Sequence, residues 1–167
     1  MSTLSQQVLK REQTPISFEQ IKRILKNHTT CAFLYLDDLK SGATTEQIFG
    51  KHDCVAILVD LHTPSGKETT TRHWCCLIKR GENSFEFFDS LGNDINRLSA
   101  KSHSKPTLFE WSQGKKIIYN SSKLQRFSAD VNSCGCWVAT RLIMKHLKTP
   151  RAFKHWISHG GIGDLDL

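Results

Sequence analysis

Apolar positions first recur with helical spacing at Phe18, Ile21, Ile24 and Leu25, a single stripe of a 3.6-residue period. Ahead of them, Ser17-Phe-Glu-Gln20 has the form of a capping box, with Ile16 and Ile21 placed as a hydrophobic staple. Cys31 to Leu36 suggests a short extended segment and Thr45 to Phe49 a short helix. From Cys54 the texture changes. Cys54-Val-Ala-Ile-Leu-Val-Asp-Leu61 has the length and β-branching of a buried strand, broken by Thr63-Pro-Ser-Gly66. His73–Lys79 and Ser84–Asp89 read as two more strands around Arg80-Gly81-Glu82, and Lys115–Tyr119 as a further one. The apolar run Trp137, Val138, Ala139, Leu142, Ile143, Met144, Leu147 predicts a largely buried helix that starts near Gly135 and ends near Thr149-Pro150. A short helix over 151–157 follows it. The pattern is α+β: a helix, a mostly antiparallel central sheet, then a central helix packed on it.

A length of 167 residues suits one domain with a real core, so residues 1–167 are read as a single domain whose polar segment 1–13 is frayed. With 38% hydrophobic and 23% charged residues, the chain falls among soluble globular proteins. No apolar run is long enough to cross a bilayer, which argues against a membrane partner. The start, Met1-Ser-Thr-Leu-Ser, lacks the charged-then-apolar layout of a secretion signal. Six cysteines (Cys31, Cys54, Cys75, Cys76, Cys134, Cys136) are too few for a disulfide scaffold of this length. Zinc fits poorly too: no C-x-x-C occurs, and the adjacent Cys75 and Cys76 would point to opposite faces of a strand.

The net charge of +7 is unevenly placed. Residues 111–163 hold nine Lys/Arg and one acid, leaving 14 basic against 15 acidic residues elsewhere. This is either a solvated basic face or a polyanion-binding surface, with Lys145, Lys148, Arg151 and Lys154 as the candidate DNA contacts. Composition by itself favours the solvated face.

Three residues carry the candidate chemistry. A hairpin turn centred on Gly81 would set His73 and Asp89, each eight residues away, directly opposite one another, with Cβ atoms ~5 Å apart. A carboxylate so placed holds an imidazole in one tautomer and stabilises its protonated form. Cys134, in Asn132-Ser-Cys-Gly-Cys-Trp137, stands at the start of the buried helix. There the helix dipole and a neighbouring imidazolium favour a nucleophilic thiolate. Gly135 admits a substrate backbone, and the Cys134 N–H, among the first amides of a helix, can donate to an oxyanion. Cys136 would point ~200° further round the helix, away from His73.

The succession Arg72-His-Trp74, Phe87-Phe-Asp-Ser-Leu-Gly92, Leu124-Gln125 and Ser133-Cys-Gly135 resembles the adenovirus-type maturation cysteine proteases. Their clan also includes SUMO-specific and other ubiquitin-like-protein proteases. The stretch from Ala56 to Leu77 is especially similar, and the resemblance covers most of residues 17–147. It implies an adenain-like fold and a thiol peptidase with His73 as general base and acid, Asp89 as its orienter and Cys134 as nucleophile. Gln125 would be the oxyanion donor. Eight residues separate it from Cys134, with Asn132 as the alternative donor. The resemblance further implies capsid or core precursor proteins as substrates, cleaved beside small residues, in a virus, virophage or Maverick/Polinton-type element. The implied location is the virion interior or the host-cell assembly site. No cofactor or metal is required, with duplex DNA as a candidate activator. The alternatives are a deconjugase of SUMO or ubiquitin-like modifiers, an acetyltransferase using the same cysteine, and a basic nucleic-acid-binding domain with a vestigial triad.

Overall fold

The computed structural model describes residues 18–62, 70–102, 105–120, 123–124 and 134–159. The expected capping box and staple at 16–20 and the break at 63–66 lie wholly or partly outside these residues. Helix α1 (Phe18–Leu25) leads into strand β1 (Ala32–Tyr35), a 3-10 turn (Leu36–Asp38) and helix α2 (Thr45–Phe49). The antiparallel core follows: β2 (Cys54–His62), β3 (Thr70–Gly81) and β4 (Ser84–Phe88). After helices α3 (Ile95–Lys101) and α4 (Thr107–Ser112) come β5 (Lys116–Tyr119), α5 (Cys134–Ile143) and α6 (Pro150–Ser158).

The five strands lie side by side in chain order, yet the sheet is mixed. β2–β3 and β3–β4 are antiparallel, whereas β1–β2 and β4–β5 are parallel. The expectation of a mostly antiparallel sheet is corrected here. A parallel neighbour needs a crossover of roughly a dozen residues or more, and two segments supply one. The first runs through the 3-10 turn and α2. The second runs through α3 and α4, neither of which the hydrophobic pattern predicts, although Asp94 caps α3 through a bond from the Arg97 amide.

Those crossovers decide why β2 is apolar along nearly its whole length. Cys54, Ala56 and Leu58 face a core formed with α1, α5 and α6; Val55, Ile57, Val59 and Leu61 face a second core under α2, α3 and α4. A sheet covered on both faces needs continuous rather than alternating hydrophobicity. β3 obeys the same rule: Cys76 belongs to the first core and Cys75 to the second.

Helix α5 stops at Ile143, short of the expected Thr149, and a buried ion network supplies the reason. Glu86, on β4, is fully buried and takes Arg141 in a bidentate pair (Nε–Oε2 2.7 Å, Nη2–Oε1 2.9 Å), with Arg80 Nη2 at 3.0 Å. The two guanidiniums also donate to the carbonyls of Met144, Lys145 and Leu147. Carbonyls left open at a helix end are thus satisfied by side chains instead of by another turn. Thr149 then caps α6, accepting from the Ala152 amide, with Pro150 in the first turn, where its missing N–H costs nothing.

Candidate active site

The β3–β4 turn is built from Glu82 and Asn83, with Asn83 at φ +56° and Gly81 paired to Ser84. Asn tolerates this left-handed conformation better than most residues. A register shift between Lys79 and Gly81 then sets Cys76 opposite Phe88, the last pair. His73 and Asp89 are therefore not direct partners, which corrects the hairpin register expected with Gly81 at its centre. Continued in register, Asp89 would meet Cys75, one diagonal step from His73 on the same face. The chain instead leaves the sheet at Asp89, and the side chain covers the remaining distance. His73 Nε2 and Asp89 Oδ1 are 2.7 Å apart, and both residues are buried.

Asp89 is held from all sides. Its Oδ1 also accepts the Leu91 amide at 2.9 Å, and Oδ2 accepts Asn93 Nδ2 at 2.9 Å. Lys101 Nζ in turn donates to Asn93 Oδ1 at 2.9 Å. The backbone of Asp89 is bracketed by one side chain: its N–H donates to Asn120 Oδ1 (3.0 Å), and its carbonyl accepts Asn120 Nδ2 (2.6 Å). Gly92, at φ +76°, closes the following turn with its amide 2.8 Å from the Asp89 carbonyl. Asn93 and Asn120 were missed by sequence reasoning. Asn93 had a local signal, the turn Asp89-Ser-Leu-Gly92; Asn120 became legible only once β5 lay parallel to β4 with Tyr119 opposite Phe87.

Burial alone would push the His73 ring below its ordinary value. The Asp89 carboxylate, by charge and hydrogen bond, and a hydrogen bond with Cys134 outweigh it, so the ring is pushed up to about 10. Burial would likewise raise Asp89. The His73 charge and hydrogen bond, with the Leu91 and Asn93 bonds, hold its carboxyl below the usual carboxylate range instead. Because Nε2 is committed to Asp89, Nδ1 is the ring nitrogen left for the sulfur.

Cys134 is the first residue of α5, which packs on β3 and α1. Its sulfur lies 3.4 Å from the Trp74 amide, which donates to it. The β3–β4 ladder ends at the Cys76–Phe88 pair, before this level is reached. The buried sulfur thus accepts from the backbone of the residue that follows His73. Cys136 is also buried. His73, Asp89 and Cys134 are brought together; Gln125 and Asn132 lie outside the described residues.

Among the candidate DNA contacts, Lys148, Arg151 and Lys154 are exposed. Lys145 is tied to Asp53 at 2.8 Å, and Arg141, counted in the same basic stretch, is wholly buried in the Glu86 network. The basic stretch is therefore less of a surface than its composition suggests. Among the described residues, no group of three or more His, Cys, Asp or Glu could hold a metal ion. No helix there is long and apolar enough to cross a membrane.

The chain is similar to an uncharacterized protein, V9, of Sputnik virophage, with 30% identity over 115 residues. The match spans 62% of this chain and 62% of V9, so a viral protein stands among its relatives. No family model matches the chain, and no solved structure matches it.

Proposed function

We propose that this chain is a cysteine endopeptidase that cleaves structural precursor proteins during maturation of a viral particle. The observation that carries the reading is the buried grouping of Asp89, His73 and Cys134, with the carboxylate 2.7 Å from one ring nitrogen and the sulfur, at a helix start, accepting the amide of Trp74, the residue next to His73.

In the proposed reaction His73 is protonated at neutral pH, and Cys134 attacks the peptide carbonyl as the thiolate. The oxyanion is met by the Cys134 N–H and by the Gln125 amide, with Asn132 as the alternative. As the intermediate collapses, the C–N bond breaks and His73 gives its Nδ1 proton to the leaving amine, leaving an acyl thioester. Neutral His73 then takes a proton from water. The resulting hydroxide cleaves the thioester, and the carboxylic product departs as the thiolate reforms. Asp89 stabilises the imidazolium throughout without taking the proton. The near-complete burial of Cys134 and His73 supports small residues at the scissile bond. The virophage relative supports a viral setting, and with it the virion interior or assembly site. Duplex DNA is the partner proposed for exposed Lys148, Arg151 and Lys154.

The test is incubation with the structural proteins encoded beside this chain, followed by mass mapping of new termini. Wild type should create defined termini, Cys134→Ala none, and Cys136→Ala most of them. Termini produced equally by Cys134→Ala would end the peptidase assignment.

A further inference from the structure

Cys31 and Cys54 stand apart from the candidate active site. Each immediately precedes one member of the Ala32–Val55 register pair of the parallel strands β1 and β2. They therefore sit side by side on neighbouring strands, which run ~4.8 Å apart, within the ~4.4–6.8 Å Cα range of a disulfide. Both pack toward the same core and both are reduced, and Cys54 Sγ donates to the carbonyl of Thr30, the residue before Cys31, at 3.5 Å. Their access differs. Cys54 is fully buried, whereas Cys31 is half-buried and lines a cavity of about 520 Å³.

That cavity is cationic. Lys22, Arg23, Lys26 and His52 line it against one acid, Glu19. Behind the pair, Lys145 Nζ lies 3.9 Å from Cys54 Sγ, steadied by Asp53. The adjacent Cys54 thiol holds the Cys31 thiol below its ordinary value against the opposing effect of burial, with help from the Ala56 backbone and Lys145. The same neighbour relation and burial push Cys54 up. One thiol is thus poised to react and its neighbour is kept in reserve.

We propose that Cys31 and Cys54 form a redox-active dithiol that reacts with small anionic disulfides of the glutathione type, drawn in by the cations of the cavity. The Cys31 thiolate attacks one sulfur of the reagent. The reagent's S–S bond breaks, one half leaves as a thiolate that water protonates, and the other half stays on Cys31 as a mixed disulfide. Cys31 has now lost the charge that kept Cys54 protonated, while Lys145 still favours a Cys54 thiolate. Cys54 releases its proton to solvent, attacks Cys31 Sγ and expels the second half as a thiol. The Cys31–Cys54 bond has formed, two protein thiols have lost two electrons and the reagent disulfide has gained them. The inference is independent of the peptidase reading, since neither Cys134 nor His73 takes part.

The test exposes the full chain to glutathione disulfide near neutral pH and maps cysteine states by peptide mass spectrometry, which separates this pair from Cys134. Wild type should yield peptides joined through Cys31 and Cys54. Cys54→Ser should stop at one glutathionyl group on Cys31, and Cys31→Ser should leave Cys54 unmodified. Lys22→Glu with Lys26→Glu should slow the reaction roughly tenfold without slowing the reaction with cystamine, a cationic disulfide. A wild-type mixed disulfide that never resolves onto Cys54, or Cys31 reacting no faster than buried Cys75, overturns the proposal without recourse to any variant. An unchanged ratio of the two reagents' rates after charge reversal overturns the role of the cavity.

Discussion

Asp89→Asn isolates what the buried carboxylate does for His73. The substitution keeps the shape and leaves Oδ1 able to accept the ring N–H, but it removes the charge. It also turns one acceptor into an amide that faces the Asn93 Nδ2 donor, now 2.9 Å from Oδ2. With the charge gone, burial dominates and His73 should fall from about 10 to its ordinary 6.5 or below. That drop corresponds to about 5 kcal/mol of differential stabilisation at ~1.36 kcal/mol per pH unit. The sign with pH follows from both partners. The raised His73 pKa stabilises the fold fully below about 6.5 and loses that effect as pH rises through about 10. The lowered Asp89 pKa stabilises it above 3.8 and loses that effect as pH falls further. Both are complete between pH 3.8 and 6.5, so the variant should be most weakened there. His73 can shed its proton rather than remain a lone buried charge, so the loss should sit near or below the low end of the ~3–5 kcal/mol typical of broken buried pairs. The assay is ring-nitrogen NMR through a pH titration, with His73→Ala identifying the resonance among eight histidines, alongside urea unfolding in the same buffers. Wild-type His73 should remain protonated through pH ~8. A wild-type ring titrating near 6.5, or an unchanged ring in Asp89→Asn, refutes the reasoning.

Glu86→Gln leaves the buried Arg141 and the partly buried Arg80 without their counter-charge and should cost ~3–5 kcal/mol in urea unfolding; a loss under ~1 kcal/mol would mean the network is hydrated. Asn120→Ala removes both bonds to the Asp89 backbone, and should cost ~2 kcal/mol while lowering kcat for peptide cleavage more than it raises KM; an unchanged kcat would deny Asn120 a positioning role. Lys148, Arg151 and Lys154 changed together to Gln should weaken non-specific duplex binding and flatten its salt dependence, by about 0.9 in log–log slope for each phosphate no longer neutralised. Fluorescence anisotropy across a salt series checks this, and a wild type that binds no duplex at low salt leaves that surface merely solvated.

The local elements were legible because their causes are local. The stripe Phe18, Ile21, Ile24, Leu25, the β-branched run from Cys54 and the apolar segment after Gly135 each carry their period within a few residues, and each forms a helix or strand of the expected type, the last ending at Ile143 rather than near Thr149. Cys134 at a helix start was equally a matter of adjacent chain. Tertiary structure alone decided the rest. The parallel strands β1 and β5 depend on crossovers folding back over a sheet face, which no strand's own residues encode. The His73–Asp89 contact survives a register other than the expected one because the side chain of Asp89, fixed by Asn93 and Asn120, reaches across a diagonal. Glu86 meets Arg141 across 55 positions of sequence, and Lys145, an exposed cation by composition, is spent on Asp53. Charge read along a chain carries no direction; only the packing of α5 on β3 and β4 determined which cations face water and which face a buried carboxylate.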